Sequence, residues 1–488
     1  MAGALVYAGL SGADMSGDAR VVASIAALMA VWWMSEAIPL AATSLLPIVL
    51  IPALTDRSVS ATTASYASPI VFLFLGGFLL AIAMEKWGLH RRIALFTLAR
   101  VGTSARAIVL GLMIATGFLS MWVSNTATTL MMLPIGFSVL ALVSGRGMSG
   151  AGGEARDTAP PDPDVEQFGT CLVLAIAWSA SMGGLGTLLG SPPNAIIAGY
   201  ASEELGIDIG FVDWMMLGVP LAATFILIGW VMMTRVLYRF DLDEIPGGRA
   251  LIDGEIAKLG TMNRGEAMVA LVFAGAAFLW VVPGLVSEIA AIASAVRWLG
   301  DLNDTAIAIG AGLALFLLPA DSKGAMVLDW KDAQNGLPWG VLLLFGGGLS
   351  LAGAVAATGL DDWFGGQVSG LTSLPIVLLI ACVVTIVLFL TEVTSNTATA
   401  ATFIPVLGGV ALGVGIDPMG LLVPAALAAT CAFMLPVGTP PNAIAFSTGS
   451  VTIAQMARGG FVLNLIGIAL ITGFVYWLGG AAMGLVMK

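Results

Sequence analysis

The sequence has one histidine, three cysteines, and charge on only 10% of its 488 residues. Each shortage excludes something. A single histidine leaves no histidine metal cluster and largely excludes a Ser-His-Asp arrangement. That residue, His90, stands beside Arg91 and Arg92 and reads as interfacial rather than catalytic. Cys171, Cys382 and Cys431 all lie in apolar runs and read as small buried hydrophobes, not disulfides or metal ligands. No basic cluster is present, so nucleic acid is not an expected partner. No cofactor loop appears and no polar stretch is long enough to fold as a soluble domain, so the chain does not read as an enzyme. The formal net charge of -11 has a simple origin. Acids sit in loops such as GEARDTAPPDPDVEQ (153–167), where proline and charge favour a solvated linker.

What is present is apolar. The hydrophobic share is 58% and the mean hydropathy +0.99, whereas soluble domains carry about 25% charged residues. Apolar segments fall near 20–37, 39–54, 69–86, 107–143, 168–200, 214–237, 266–283, 304–320, 339–357, 374–413, 419–447 and 461–486. A spanning helix needs roughly 20 apolar residues. The runs are continuous rather than alternating, which favours helices over a barrel. The expectation is an all-α polytopic membrane protein.

Segments 107–143 and 374–413 are too long for one crossing and too short for two with a loop. Each carries Ser-Asn-Thr-Ala-Thr near its middle, at 124–128 and 395–399. That pattern predicts a re-entrant helical hairpin with the motif at its tip, since non-helical backbone at membrane depth needs protein or a cavity around it. Segments 168–200 and 419–455 carry GSPPNAI (190–196) and GTPPNAI (438–444). Paired prolines remove backbone donors and clash with the preceding turn, so each break splits a helix in two.

Asn125 and Asn396 stand 271 positions apart; Asn194 and Asn442 stand 248 apart, and the extra loop at about 145–167 accounts for the difference. FLFLGGFLLA (72–81) and LLLFGGGLSLA (342–352) form a third pair. The chain therefore divides into a short N-terminal segment 1–19, a first repeat 20–240, a cytoplasmic linker 241–265 and a second repeat 266–488. Positive charge gives orientation. Lys86, Arg91, Arg92, Arg100 and Arg106 mark one cytoplasmic face, and Arg235, Arg239, Arg249, Lys258 and Arg264 another. The first hairpin then enters from inside and the second from outside, so the repeats are inverted, a plan many secondary transporters use.

Two tips and two breaks from inverted halves are expected to meet near the midplane. Helix N-termini there suit an anion. Unwound carbonyls, amides and hydroxyls suit a hard cation such as sodium. No Lys or Arg lies in the four motifs, so bound sodium would supply the charge that a buried dianion needs. One Ser-Asn-Thr alone reads as an ordinary helix cap, and proline opens many helices. Four copies, paired in order, argue for a binding site. The Gly76–Gly77 and Gly346–Gly347 pairs read as close helix packing. Glu392, an acid inside an apolar run, reads first as a structural partner of the hairpin, with a proton or ion role as the alternative. Glu36 and the neighbouring tryptophans read as interfacial.

At these motifs, and at WWMSEAIPLAATSLLPIVL (32–50) and FLGGFLLAIAMEKWGLHRRIAL (74–95), the sequence resembles the divalent anion/sodium symporter family. The resemblance covers nearly the whole chain. It implies a homodimer in the bacterial inner (plasma) membrane, with a scaffold and an elevator-like transport unit that holds both hairpins and both broken helices. It implies transport of a small divalent anion of the succinate, malate or fumarate type together with sodium, at about two or more sites, and no organic cofactor. By motif, one sodium site would use Ser120, Ser124, Asn125 and Gly190; the other would use Thr391, Thr394, Asn396 and Gly438. Substrate would meet Asn125, Thr126, Ser191, Asn396, Thr397 and Thr439, with Pro192, Ser395 and Pro440 adjacent. Both sodium sets are intact by residue type, which favours symport over sodium-independent dicarboxylate exchange; a citrate or sulfate transporter of the same fold is the other alternative. The sequence departs from the family at its short N-terminus, where a further full helix is usual.

Overall fold

The computed structural model describes residues 2–144, 162–242, 245, 247–287, 303–322, 324–367 and 374–486. These residues form helices and connecting turns, with one isolated bridge between Pro319 and Met326. Nine helices among them are long and apolar enough to cross a membrane, and the protein is a multi-pass integral membrane protein.

The short N-terminal segment is a helix, α1 (Ala2–Gly9), laid against α2 (Gly17–Ser35). Eight residues rise only about 12 Å, so α1 does not span. The broken pair α3 (Leu40–Thr43) and α4 (Leu46–Leu54) follows, then the short α5 (Val59–Ala64). Next comes α6 (Pro69–Lys86), the short arm α7 (Leu89–Val101), a hairpin of α8 (Ala105–Ser120) and α9 (Asn125–Val143), a split helix α10 (Pro163–Gly184) and α11 (Pro192–Glu204), and a closing helix α12 (Phe211–Met232). After α13 (Gly248–Leu259), α14 (Arg264–Ser287), α15 (Asp304–Leu317) and α16 (Trp330–Gly336), the same order recurs. It runs through α17 (Trp339–Thr358), the arm α18 (Leu360–Gln367), a hairpin of α19 (Ile376–Thr391) and α20 (Asn396–Val414), a split helix α21 (Met419–Thr430) and α22 (Pro440–Ser447), and the closing α23 (Ile453–Met483). The linker 241–265 thus contains a helix of its own.

Without a hydrophobic drive between helices in lipid, close approach needs small side chains. A Cβ on Gly76 would sit 2.4 Å from the backbone of Ala308, so α6 and α15 touch main chain to main chain. On Gly347 it would sit 2.4 Å from the Ser44 carbonyl. Both glycine pairs are packing positions.

Several expectations change. Pro163–Gln167 are not linker: Asp162 caps α10 by accepting from the Asp164 N–H, and Pro163 opens the helix. Residues 153–161 of that stretch lie outside the described residues. Cys382 is exposed on the outer face of α19 rather than buried, because the hairpin turns that face away from the protein. His90 is buried rather than interfacial, with Nδ1 2.9 Å from the Met84 carbonyl, so the end of α6 covers it. Trp33 is not a belt residue either. It is fully buried, and its indole N–H donates to Ser44 Oγ at 3.2 Å.

The arm α7 carries the N-terminal side of the first hairpin and is itself anchored. Arg92 makes a two-pronged pair with Glu266 of α14, with Nη2–Oε2 at 3.0 Å, and both side chains are buried. Its guanidinium also donates to the Gly260 carbonyl. Arg91 reaches Glu255 of α13 at 2.7 Å, and Arg249 donates to the Ala99 carbonyl at 3.0 Å, so the two basic stretches lie side by side. The partly exposed Arg91 pair contributes little. The buried pair differs, because removing one partner strands a charge. Glu266→Ala is expected to lower stability by about 3–5 kcal/mol, whereas Arg91→Ala is expected to cost under about 1 kcal/mol. Thermal unfolding of the detergent-solubilised variants checks the ordering.

Candidate substrate and ion site

Both Ser-Asn-Thr motifs sit at hairpin tips, and both Asn residues open the second helix of their hairpin. Ser124 caps α9 by accepting from the Ala127 N–H at 3.3 Å. Ser395 stands at the same position of α20 and makes no such bond, so the first turn there keeps its N–H groups free. The side chains of Thr126, Ser395 and Thr397 are half-buried and make no hydrogen bond among the described residues. They are the free hydroxyls of the candidate site.

The two breaks have matching geometry. Ser191 (φ -150, ψ 141) and Thr439 (φ -144, ψ 151) are extended, as a residue before proline prefers. Asn194 Nδ2 donates to the Gly184 and Thr187 carbonyls at 2.9 and 2.8 Å. Asn442 Nδ2 donates to the Ala432 and Leu435 carbonyls, both at 3.0 Å. In each half the amide reaches back ten and seven residues, closing the unwound loop on itself. Both side-chain oxygens are buried and have no hydrogen-bond partner among the described residues. The prolines leave α11 and α22 without N–H groups at their first two positions. The next N–H is also engaged: Asn194 N with the Ser191 carbonyl, Asn442 N with Thr439 Oγ1 at 3.3 Å. The breaks therefore offer carbonyls and hydroxyls, while free helix N–H groups come from the hairpin tips alone. That narrows the expectation that all four helix ends would serve an anion.

In the first half the Asn125 amide faces three oxygens: Ser120 Oγ and the carbonyls of Ala180 and Gly190. With its nitrogen turned inward it donates to all three, at 3.1 Å to Ala180 and 3.3 Å to Gly190. With its oxygen turned inward, four oxygens converge, an arrangement suited to a hard cation. Space here is tight. A Cβ on Gly184 would lie 2.9 Å from Asn125 Oδ1, and one on Gly190 would lie 2.6 Å from the Gly184 carbonyl. Ser124, also expected in this set, is exposed and turned to its cap. In the second half Thr391 Oγ1 donates to Asn396 Oδ1 at 2.8 Å and lies 3.0 Å from the Ala429 carbonyl. Thr394 is turned into the hairpin, 2.6 Å from Thr399 Oγ1 and 2.9 Å from the Leu390 carbonyl. Gly438 is buried behind the tip; Pro192 is half-buried and Pro440 exposed. The two halves meet directly, since Thr430 Oγ1 donates to Ser191 Oγ at 2.9 Å.

Sequence reasoning did not assign Asn194, Asn442, Thr187 or Thr430. The repeated asparagine two positions after Pro192 and after Pro440 was the available signal. Trp122, just behind the first tip, is a further addition. Its ring stacks on Phe211 and Trp280 at 5.9 and 6.4 Å between centroids and meets Phe273 edge-on at 5.1 Å. This cluster seats the tip against α14 and the start of α12. A separate cavity of about 340 Å³ beside Asp208, Asp213 and Asp304 contains none of the motif residues.

Each asparagine brace holds two buried carbonyls. Asn194→Ala or Asn442→Ala strands both, and each stranded group costs about 1–3 kcal/mol. Both variants are expected to fold less stably and to lose ligand binding. A melting temperature equal to that of the unmodified protein would show that the loops hold without the brace.

The sodium:sulfate symporter transmembrane-region family model matches residues 11–483. A protein named sodium-dependent dicarboxylate transporter SdcS from Staphylococcus saprophyticus is 42% identical over 479 residues, covering 97% of this chain and 88% of its own length. Its namesake from Staphylococcus aureus strain USA300 is 43% identical over 480 residues with the same coverage. Among solved structures, the YdaH transporter of Alcanivorax borkumensis matches with a TM-score of 0.57 at 12% identity, over 94% of this chain and 99% of that one. MtrF of Neisseria gonorrhoeae matches with a TM-score of 0.55 at 13% identity, over 97% of both chains. These two likenesses concern the fold alone.

Proposed function

Since this chain belongs to the sodium:sulfate symporter family, a family of membrane transporters rather than enzymes, we propose that it is a sodium-coupled symporter that imports a small divalent anion, foremost a C4-dicarboxylate such as succinate. The single observation that carries this reading is the Asn125 cradle. One end of this amide faces only oxygens, and with its own oxygen turned to them the set suits a cation, beside hydroxyls and free helix N–H groups at the same tip that suit an anion. The name shared by the Staphylococcus relatives supports the dicarboxylate.

In this reading the two halves lie inverted in a bacterial plasma membrane. Both hairpins and both split helices move as one elevator-like unit against a scaffold, within a homodimer. One sodium is held by Ser120, Asn125 and the Gly190 carbonyl, with Ser124 free to join once its cap is released. A second is held by Thr391, Asn396 and Gly438, with Thr394 behind them. The substrate carboxylates meet Thr126 and Ser191 from one half and Thr397 and Thr439 from the other, with Ser395, Pro192 and Pro440 shaping the edge. Asn125 and Asn396 serve both solutes. No cationic side chain lies in these motifs, so sodium supplies the charge that lets a dianion enter. Coupling follows, because each solute lowers the cost of the other.

The test is uptake of labelled succinate into proteoliposomes. An inward sodium gradient is expected to drive accumulation, and an equal potassium gradient is not. Uptake that ignores sodium but needs internal dicarboxylate would establish exchange instead. The family name favours sulfate as a second reading of the substrate; competition by succinate, citrate, glutamate and sulfate in the same assay decides. Asn125→Asp and Asn396→Asp each place a negative charge beside the anion. Each is expected to abolish uptake, by about a hundredfold or more, while the protein still folds and dimerises; wild-type uptake by both would refute the site.

A further inference from the structure

The two halves match in their braces but not in what joins tip to break. In the first half, Thr187 of the break donates to the main-chain carbonyl of Met121 at the tip. In the second half, the residue 271 positions after Met121 is Glu392, and Leu435 stands where Thr187 would. Polarity is reversed. Glu392 Oε1 accepts from the Phe433 N–H at 2.7 Å and from Asn464 Nδ2 at 2.7 Å. The Met434 N–H reaches both carboxylate oxygens at 3.0 Å, and the Leu435 N–H reaches Oε2 at 3.2 Å. Three successive backbone N–H groups and one amide thus surround a carboxylate that is only 3% exposed. Every hydrogen-bond partner of the carboxylate among the described residues is a donor, an arrangement that favours the anionic form.

A buried anion is normally paired with a cation. No Lys, Arg or His lies within ion-pair distance of Glu392 among the described residues. The residue is chain-adjacent to Thr391. A Cβ on Gly438 would lie 3.2 Å from Glu392 Oε2 and 3.1 Å from its main-chain carbonyl. The carboxylate therefore borders the candidate cation residues of the second half. In the first half the corresponding place is filled by the thioether of Met121, which packs on Gly186.

We propose that Glu392 is a fixed counter-charge that makes the two cation sites unequal: the second-half site holds its sodium more tightly and fills first, and the first-half site fills with the substrate. This rests on the symport reading above. It gives Glu392 a role beyond bracing the second break, which it also does. The residue acts through the field at a neighbouring site, not as a ligand, so it is a positioning and electrostatic residue.

The test separates charge from bracing. Purified protein in detergent is titrated with sodium chloride against constant ionic strength in potassium, without substrate, and its thermal stabilisation is followed. The half-saturation for sodium is then compared in the wild type, Glu392→Gln and Glu392→Asp. Glu392→Gln is expected to raise the half-saturation about tenfold or more, since a unit charge a few ångströms away is lost. Glu392→Asp keeps the charge and shortens the reach. It is expected to melt lower in potassium while holding the sodium half-saturation within about threefold, a small step against the factor of ten that 1.4 kcal/mol represents. If Glu392→Gln does not fold, a tenfold rise in Glu392→Asp overturns the proposal, because the charge is retained. Equal half-saturation in Glu392→Gln and wild type, with only a lower melting temperature, reduces Glu392 to a brace and also overturns it. A wild type that sodium does not stabilise at all fails the symport reading itself, a result distinct from either.

Discussion

An unpaired peptide group in hydrocarbon costs several kcal/mol, yet this chain interrupts its helices at two hairpin tips and two proline breaks. Everything around those four places answers that cost. Asn194 and Asn442 turn back to hold the carbonyls that the breaks release. Glu392 gathers the N–H groups of residues 433–435. What remains free after this bracing, among the described residues, is the side-chain oxygens of Asn194 and Asn442, the hydroxyls of Thr126, Ser395 and Thr397, and the first N–H groups of the hairpin helices. These unpaired polar groups lie at the Ser-Asn-Thr and Pro-Pro-Asn motifs, among hydroxyls and amides that are already paired.

Rigidity elsewhere keeps that set in place. Gly183 meets Gly117 so closely that a Cβ would sit 2.1 Å from its carbonyl, which locks the first hairpin to α10. Trp122 seats the same tip on Phe211, Phe273 and Trp280. The Arg92–Glu266 pair ties the arm before the hairpin to α14. On the other side, a Thr430–Ser191 hydroxyl–hydroxyl bond adds to the packing of α11 against α21 where the halves meet.

Much of this was legible in the sequence, for a physical reason. Continuous apolar runs dictate helices, and paired prolines dictate where they stop. A twofold repeat of Ser-Asn-Thr and Pro-Pro-Asn points to two tips and two breaks, which the structure places at Ser124–Thr126, Ser191–Asn194, Ser395–Thr397 and Thr439–Asn442. Other features were not legible. In the sequence Asn194 only marks the repeat; its brace exists because the loop path brings the carbonyls ten and seven residues back within reach. Trp33 and His90 read as interfacial because hydropathy does not show which side of a helix meets another helix. Thr394 and Ser124 match a ligand pattern by type, but their hydroxyls are turned to Thr399 and to the Ala127 N–H. Residue type sets what a group can do; rotamer and neighbour decide what it does.

The central claim is that one site binds a cation and a dianion together because it has no positive side chain of its own. Equilibrium binding tests this without relying on transport. Calorimetric titration of succinate into the purified protein is expected to give measurable affinity in sodium and none in potassium at the same ionic strength, with sodium affinity rising in return when succinate is present. Equal succinate affinity in the two salts would contradict the account, because the anion would then be held by the protein alone.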